Sequence, residues 1–137
     1  MPNSFTEVYV HFVWATWDRQ PLIIPEIELP LCNCIRARCR DMQAHVLAVG
    51  GMQDHIHALV RLPATLCLSE IAREMKGASS HFVTHVLGCS GFRWQGSYFA
   101  SGVCTDALDT VINYIEHQKQ HHADKAIRVD LELPPDG

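Results

Sequence analysis

The stretch from His55 to Leu62 constrains the fold most, because apolar and polar side chains alternate along it until Pro63 ends it. Alternate side chains of a β-strand share a face, and the apolar face here carries Ile56, Ala58, Val60 and Leu62. We expect that face to lie under helices. His55 and His57 then point the other way, close enough for two imidazoles to converge on one cation. Taken alone, the pair favours two solvent-facing histidines on an open sheet face over a metal site.

Hydrophobic periodicity predicts the remaining elements on either side of this strand. Three further strands are predicted at 8–16, 45–49 and 98–103, and three helices at 26–41, 69–87 and 106–122. Ser69 and Asp106 are the expected N-caps, Gly88 the expected end of the second helix, and Gly50–Gly51 a turn. Pro30 is compatible with the first helix only in its first turn. The order predicts an α+β, ferredoxin-like β-α-β-β-α-β antiparallel sheet with an added C-terminal helix.

That last helix carries a second polar pair. Its apolar stripe is formed by Leu108, Val111, Ile112 and Ile115. Tyr114 and Gln118 are four residues apart, so they are neighbours on the flank of this stripe. We expect the tyrosine to be half covered with its hydroxyl accessible, and the amide oxygen of Gln118 to lie beside it. The alternative is a tyrosine that seals the edge of the core and a solvated glutamine.

Length and composition predict one domain at residues 1–128 and a polar, flexible tail at 129–137. The net charge is −4, and without the tail's Asp130, Glu132 and Asp136 residues 1–128 hold 11 basic and 12 acidic side chains, a net of −1. Charge alone therefore gives little grip on nucleic acid, and such a function needs a local site. The six cysteines form no zinc-ribbon pair and are expected to be plain thiols. With no secretory signal and no membrane-spanning run, the expected location is the cytoplasm.

Several motifs in order resemble one known family. The first-strand match is His11–Thr16 (HFVWAT), the second is Asp54–His57 (DHIH), and the third is Lys76–Ser80 (KGASS). They are followed by Trp94 with Tyr98–Ala100 (YFA), and by Tyr114–Gln118 (YIEHQ). Together they cover most of the chain, from Tyr9 to Gln118, and resemble the single-tyrosine HUH transposases of small bacterial insertion sequences, including the REP-associated tyrosine transposases. Val103–Cys104 departs from the Val-Gly of many relatives.

The resemblance implies a mechanism. His55, His57 and Gln118 would hold one Mg²⁺ or Mn²⁺, and Tyr114 would attack single-stranded DNA to form a 5′-phosphotyrosine. The expected partners are a DNA hairpin at the ends of the element and a second copy of the chain, with no preference between a site built within one chain and one shared between two. Lys76, Arg93 and Trp94 are candidates for DNA contact, with loop aromatics tucked into the core as the alternative. The other histidines, His11, His45, His81, His85, His121 and His122, are expected to be ordinary surface or core residues.

Two other functions stay open. The chain could be a catalytically silent module, derived from a transposase, that recognises hairpin DNA without cutting it. It could also be a metal-dependent phosphodiester hydrolase in which water, activated at the histidine pair, replaces the tyrosine as nucleophile.

Overall fold

A computed structural model describes residues 5–123 and 127–133 of the chain. Its strands are β1 (Tyr9–Ala15), β2 (His45–Met52), β3 (His55–Arg61) and β4 (Phe99–Val103). Its helices are α1 (Pro25–Asp41), α2 (Leu68–His81), α3 (Leu108–Glu116) and α4 (Gln118–Ala123). The sheet order is β2-β3-β1-β4 and every neighbouring pair is antiparallel. The ferredoxin-like prediction is therefore confirmed.

The two faces of the sheet are covered by different helices. The apolar residues of β3 pack with α1 and α2 in the larger core, as the alternation predicted. On the opposite face Ala48 and Leu59 pack with Val111 and Ile115 of α3. Because both faces are covered, β3 is buried along nearly its whole length, and the histidine face is an interior surface.

Helix α1 begins at Pro25, a position that suits proline because the first N–H of a helix has no intrahelical partner. Pro30 lies in the second turn of α1, so the expectation that it would lie in the first turn is wrong. It removes the hydrogen bond that a backbone N–H would donate to the carbonyl of Glu26. The helix nevertheless continues, because Ile27, Leu31 and Ile35 are buried beneath it.

The N-cap of α2 is Cys67 rather than the predicted Ser69. The Cys67 N–H donates to the carboxylate of Glu70, at 3.1 Å, which satisfies one of the donors that a helix start leaves free. After His81 the helix continues as a π-helical turn, Phe82–Val86. The helical conformation is broken by Gly88, which has φ +76°, as the sequence predicted. The wider turn carries Val86 out of the predicted apolar stripe, and it is exposed.

Gly50 and Gly51 lie inside β2 rather than in a turn, which corrects the prediction. A Cβ atom on Gly50 would come within 3.0 Å of the Ile115 carbonyl oxygen, and one on Gly51 within 2.1 Å of the His55 carbonyl oxygen. The missing side chain of Gly50 therefore lets the end of α3 approach the sheet closely, and that of Gly51 makes room for the backbone of β3. That approach is what brings residues 114–118 to the histidine face.

The last predicted helix is broken in the structure. A 3₁₀ turn, Thr105–Ala107, precedes α3, and His117 has non-helical dihedral angles between α3 and α4. Tyr114 thus lies at the end of one helix and Gln118 at the start of the next. Their proximity survives, because Gln118 Nε2 donates to the Tyr114 carbonyl oxygen at 3.3 Å. In the ranges described, no helix has the length and apolarity to cross a membrane.

Candidate active site

The histidine pair of β3 lies in the interior. His55 and His57 are 2% and 0% exposed, so the alternative of two solvent-facing histidines is wrong. Helix α3 and residues 127–133 cover the sheet face on which they lie. Their Nε2 atoms both approach one carboxylate oxygen, Glu132 Oε1, at 3.3 and 3.1 Å. The strand therefore presents two imidazole nitrogens to a common point.

The predicted helical pair meets these histidines within a single chain. Gln118 is 2% exposed, not solvated, and its Oε1 lies 3.3 Å from His55 Nε2. The ring of Tyr114 packs edge-on against His57, with the ring centroids 5.9 Å apart. The structure thus brings all four residues, His55, His57, Tyr114 and Gln118, to one location.

The hydroxyl of Tyr114 is covered, contrary to the expectation that it would be accessible. The residue is 2% exposed, its O–H donates to Glu132 Oε2, and it accepts the Arg128 N–H at 3.2 Å. Burial and the neighbouring carboxylate raise the pKa of the phenol to about 12. The covering residues belong to the C-terminal segment that follows α4.

Glu132 is the functional candidate that sequence reasoning missed. It lies within the predicted tail, of which residues 129–133 are described and 134–137 fall outside the described residues. One carboxylate oxygen faces both β3 histidines and the other faces Tyr114. A signal was present: Glu132 stands between Leu131 and Leu133, both half-buried, an apolar pair typical of a segment that docks.

Two more histidines join the site although they were expected to be ordinary. His11 Nε2 lies 2.9 Å from His57 Nδ1, and the two rings stack. His122 Nε2 lies 3.2 Å from Gln118 Oε1, and its ring packs on that of His55. His11 could have been found from the strand alternation, because it lies on the same face of the sheet as His57. His122 could have been found from its helical spacing, because it follows Gln118 by four residues.

The protonation of the site is uneven. Burial alone would lower the pKa of His55, but hydrogen bonds to Asp54 and Glu132 raise it to about 9. Burial lowers the pKa of His57, and together with the neighbouring His57 it lowers that of His11 to about 3. The pKa of Glu132 is depressed despite its burial, because His55 and His57 hydrogen-bond to the carboxylate. Without a cation, one imidazolium and one carboxylate therefore face each other.

The same donors suit a divalent cation. Imidazole nitrogen, amide oxygen and carboxylate oxygen are all common ligands of such ions. Among the described residues, ligand atoms of His55, His122 and Glu132 lie within 4.8 Å of one another. Asp54 Oδ1 accepts from His55 Nδ1 at 2.7 Å, the outer contact that metal-binding histidines usually have. The donor set therefore fits a bound cation.

The three candidate DNA-contact residues lie apart from this site. Lys76 Nζ donates to the carbonyl oxygens of Gln95 and Ser97, at 2.6 and 3.1 Å, and so holds the loop before β4. Trp94 is 7% exposed and donates to Ser79 Oγ, so its ring belongs to the core, as the alternative expected. Arg93 is exposed and its guanidinium stacks 3.9 Å from the ring of Trp17. A groove of about 430 Å³ runs past Lys76 and Arg93.

Comparison with known proteins agrees with this arrangement. The chain is 24% identical over 113 residues to the transposases for insertion sequence element IS200 of Salmonella typhimurium and Salmonella typhi, a match spanning 79% of this chain and 74% of theirs. A putative transposase from Deinococcus radiodurans R1 superposes with a TM-score of 0.67 at 22% identity, over 86% of this chain and 95% of its own.

A REP-associated tyrosine transposase bound to a REP hairpin superposes with a TM-score of 0.65 at 19% identity, over 89% and 73% of the two chains. The two solved structures confirm the fold. The sequence model of the family described as "Transposase IS200 like" matches residues 4–118, which include both histidines, the tyrosine and the glutamine. The resemblance inferred from the ordered motifs is thereby confirmed, and the chain belongs to the IS200-like transposase family, an enzyme of the transposase and DNA endonuclease class.

Proposed function

We propose that this chain is a metal-dependent transposase that cleaves and rejoins single-stranded DNA through a 5′-phosphotyrosine at Tyr114. The observation that carries the proposal is the convergence of the Tyr114 hydroxyl with His55, His57 and Gln118 in one buried site. Tyr9 and Tyr98 are rival nucleophiles, but neither has an amide ligand beside it on the same helix end.

In the proposed reaction the Tyr114 oxygen attacks the scissile phosphorus. The bond between that oxygen and phosphorus forms, the bond to the 3′-oxygen breaks, and the phenol proton is lost while the leaving oxygen gains one. The new phosphodiester conserves the energy of the old one, so a second strand can displace the tyrosine without ATP. A bound Mg²⁺ or Mn²⁺ would withdraw charge from the phosphate oxygens and stabilise the leaving 3′-oxygen.

The remaining chemistry belongs to the protein's own side chains. His55, His57 and Gln118 would hold the cation beside the Tyr114 hydroxyl. Glu132 Oε2 accepts the hydrogen bond of that hydroxyl, so it must give way when a phosphate approaches. The phenol of Tyr114 is protonated at neutral pH, and because burial and Glu132 raise its pKa to about 12, its proton must be removed during the attack.

The test is incubation of the protein with 3′-labelled, hairpin-bearing single-stranded DNA and Mn²⁺, because the fragment on the 3′ side of the cut is the one that stays on the tyrosine. We expect a covalent protein–DNA adduct that Tyr114→Phe abolishes and that the matched change Tyr98→Phe leaves intact. A product with a free 5′-phosphate that still forms in Tyr114→Phe would identify a hydrolase instead. Tight hairpin binding with no cleavage by the wild-type protein would identify a silent recognition module.

Two finer expectations remain predictions within this proposal. A homodimer is predicted by the resemblance, and sedimentation of the purified chain measures it. A hairpin at the ends of the mobile element is the expected substrate, in keeping with the hairpin bound by the REP-associated relative. The cytoplasmic location is likewise still a prediction from the sequence.

A further inference from the structure

Helix α4 and the C-terminal segment each bring one ionisable side chain to the histidine face that the sequence motifs do not include, His122 and Glu132. Glu132 Oε1 lies 3.3 Å from His55 Nε2 and 3.1 Å from His57 Nε2. His122 Nε2 lies 3.7 Å from the other oxygen, Glu132 Oε2. Three imidazoles from two separate parts of the chain therefore face one carboxylate.

The amide of Gln118 ties the two parts together. Its Oε1 lies 3.3 Å from His55 Nε2 and 3.2 Å from His122 Nε2. Nitrogen and oxygen ligands lie about 2.1 Å from a divalent transition ion or Mg²⁺. If the angle between two ligands at the ion lies between 90° (octahedral) and about 109° (tetrahedral), their atoms are roughly 3.0–3.4 Å apart. Four contacts in this cluster fall between 3.1 and 3.3 Å.

In the absence of a cation the same contacts are hydrogen bonds at the long end of the usual range. A typical N–H···O hydrogen bond is about 2.9–3.0 Å long, and three of the four contacts are 3.2 or 3.3 Å. The spacing suits a ligand shell for His55, His122 and Glu132, whose ligand atoms lie within 4.8 Å of one another, and His57 reaches this group through its 3.1 Å contact with Glu132. The cluster is also shielded, since the side chain of Glu132 is 12% exposed and those of His55 and His57 are 3% and 0% exposed.

We propose that His122 and Glu132 are direct ligands of the same cation as His55, His57 and Gln118. The assignment deepens the proposed function and rests on it for the identity of the first three ligands. It makes the C-terminal segment part of the metal centre and adds a carboxylate charge to a site that otherwise has only neutral donors. Glu132 Oε1 faces the histidine pair, so Oε2 can release Tyr114 while Oε1 stays in place.

The test is direct titration of the full chain with Mn²⁺. Binding is monitored by calorimetry and by the decrease of the EPR signal of the free ion. Loss of an outer-shell partner already costs about 10–100-fold in metal affinity, so loss of a ligand should cost at least about tenfold. We expect that weakening in Glu132→Gln and in His122→Asn. The matched controls are Asp130→Asn, a neighbouring acid exposed on the same segment, and His45→Asn, an exposed histidine of β2, and both should bind Mn²⁺ as the wild type does.

A second measurement does not depend on affinity. Pulsed EPR of bound Mn²⁺ detects coupling to coordinated imidazole nitrogen, and we expect one imidazole fewer in His122→Asn than in the wild type. Thermal unfolding without metal confirms that each variant is folded before it is titrated. The assignment would be overturned if Glu132→Gln bound Mn²⁺ as tightly as the wild type does, because the carboxylate would then not be a ligand. Tighter binding by Glu132→Gln would also overturn it, because the carboxylate would then compete with the cation for the histidines.

The titrations separate this inference from the proposed function. If the wild type forms the Tyr114 adduct while both variants bind Mn²⁺ normally, only the added ligands are wrong. If the variants lose Mn²⁺ but the wild type forms no adduct on hairpin DNA, the ligand set stands and the strand-transfer proposal fails. Wild-type protein that binds no Mn²⁺ at all would overturn both.

Discussion

The rings of His11 and His57 are hydrogen-bonded to each other beneath the C-terminal elements, with 2.9 Å between His11 Nε2 and His57 Nδ1. Neither side chain is exposed. A histidine that binds a cation through Nε2 must carry its proton on Nδ1. That proton needs an acceptor, and metal-binding histidines usually have one. Burial lowers the pKa of His11 to about 3, so its ring stays neutral and can accept. His11 is thus a positioning residue for His57.

We predict that His11→Leu weakens Mn²⁺ binding by about 10–100-fold, the usual loss when an outer-shell partner is removed. His11→Gln should recover part of the affinity, because its amide oxygen can accept the same proton. Calorimetric titration measures both. Val10→Ala, on the opposite face of the same strand, should lower stability and leave the affinity unchanged. Equal affinities in His11→Leu and the wild type would show that His57 needs no such acceptor.

The second prediction concerns Asp54, which accepts a 2.7 Å hydrogen bond from His55 Nδ1. A carboxylate in this position raises the basicity of the ligating ring. Asp54→Asn should therefore weaken Mn²⁺ binding by about tenfold or more. Arg19 also contacts Asp54, at 3.3 Å, but its side chain is 44% exposed, so Arg19→Gln should change the affinity little. If Arg19→Gln costs as much as Asp54→Asn, the contact with Arg19 that holds Asp54 in place matters as much as the carboxylate itself.

The third prediction is a pH dependence of stability in metal-free protein. The pKa of His55 is raised from 6.5 to about 9 in the folded state. A raised pKa contributes stability that is complete below the unfolded value and is lost as the pH rises through the folded value. Between pH 7 and 9.5 the free energy of unfolding should fall by about 2 kcal/mol. Urea unfolding across this range measures it, and Glu132→Gln should flatten the slope, since Glu132 is one of the groups that raise the pKa.

The fold could be predicted from the sequence because its signals are local. Alternation from His55 to Leu62 identified β3 and the face on which each side chain lies, and both outcomes follow from a period of two residues. Gly88 marked the end of the second helix. Where the local signal failed, at Gly50 and Gly51, the cause was contact with other elements: Gly50 makes room for α3 and Gly51 for the backbone of β3, and neither forms a turn.

The candidate site was predicted only in part, for the same reason. His55, His57, Tyr114 and Gln118 were found because each pair is close in sequence and has a regular spacing. Glu132 is separated from His57 by 75 positions and stands in a polar, proline-ended segment. The leucines on either side of it indicate that the segment docks, but where it docks depends on how residues 127–133 pack against the sheet. The burial of Trp94 likewise depends on a hydrogen bond to Ser79, 15 residues away.

That bond supports the fourth prediction. Trp94 Nε1 donates to Ser79 Oγ at 3.0 Å, and both residues are buried. Ser79→Ala would leave the indole N–H buried without its acceptor, a loss of about 1–3 kcal/mol in the free energy of unfolding. Ser80→Ala, on the next residue and half-buried, should cost far less. Chemical unfolding of the two variants compares them, and equal costs would mean that the indole finds another acceptor.

The fifth prediction concerns the DNA surface. Arg93 lies exposed over the ring of Trp17, itself 41% exposed, beside the groove that Lys76 borders. Because the net charge of residues 1–128 is near zero, each exposed cation beside this groove should contribute a large share of the attraction to DNA phosphates. Arg93→Gln should weaken hairpin binding and reduce the dependence of log affinity on log salt concentration by about one ion.

Lys76 supplies the contrast, because its ammonium group is already bound to two carbonyl oxygens of the loop. Lys76→Met should lower stability by releasing that loop, and should weaken hairpin binding with less change in the salt slope than Arg93→Gln. Binding isotherms at several salt concentrations separate the two. A larger slope change for Lys76→Met would mean that the lysine leaves the loop to contact a phosphate, in which case the loop before β4 is part of the DNA surface.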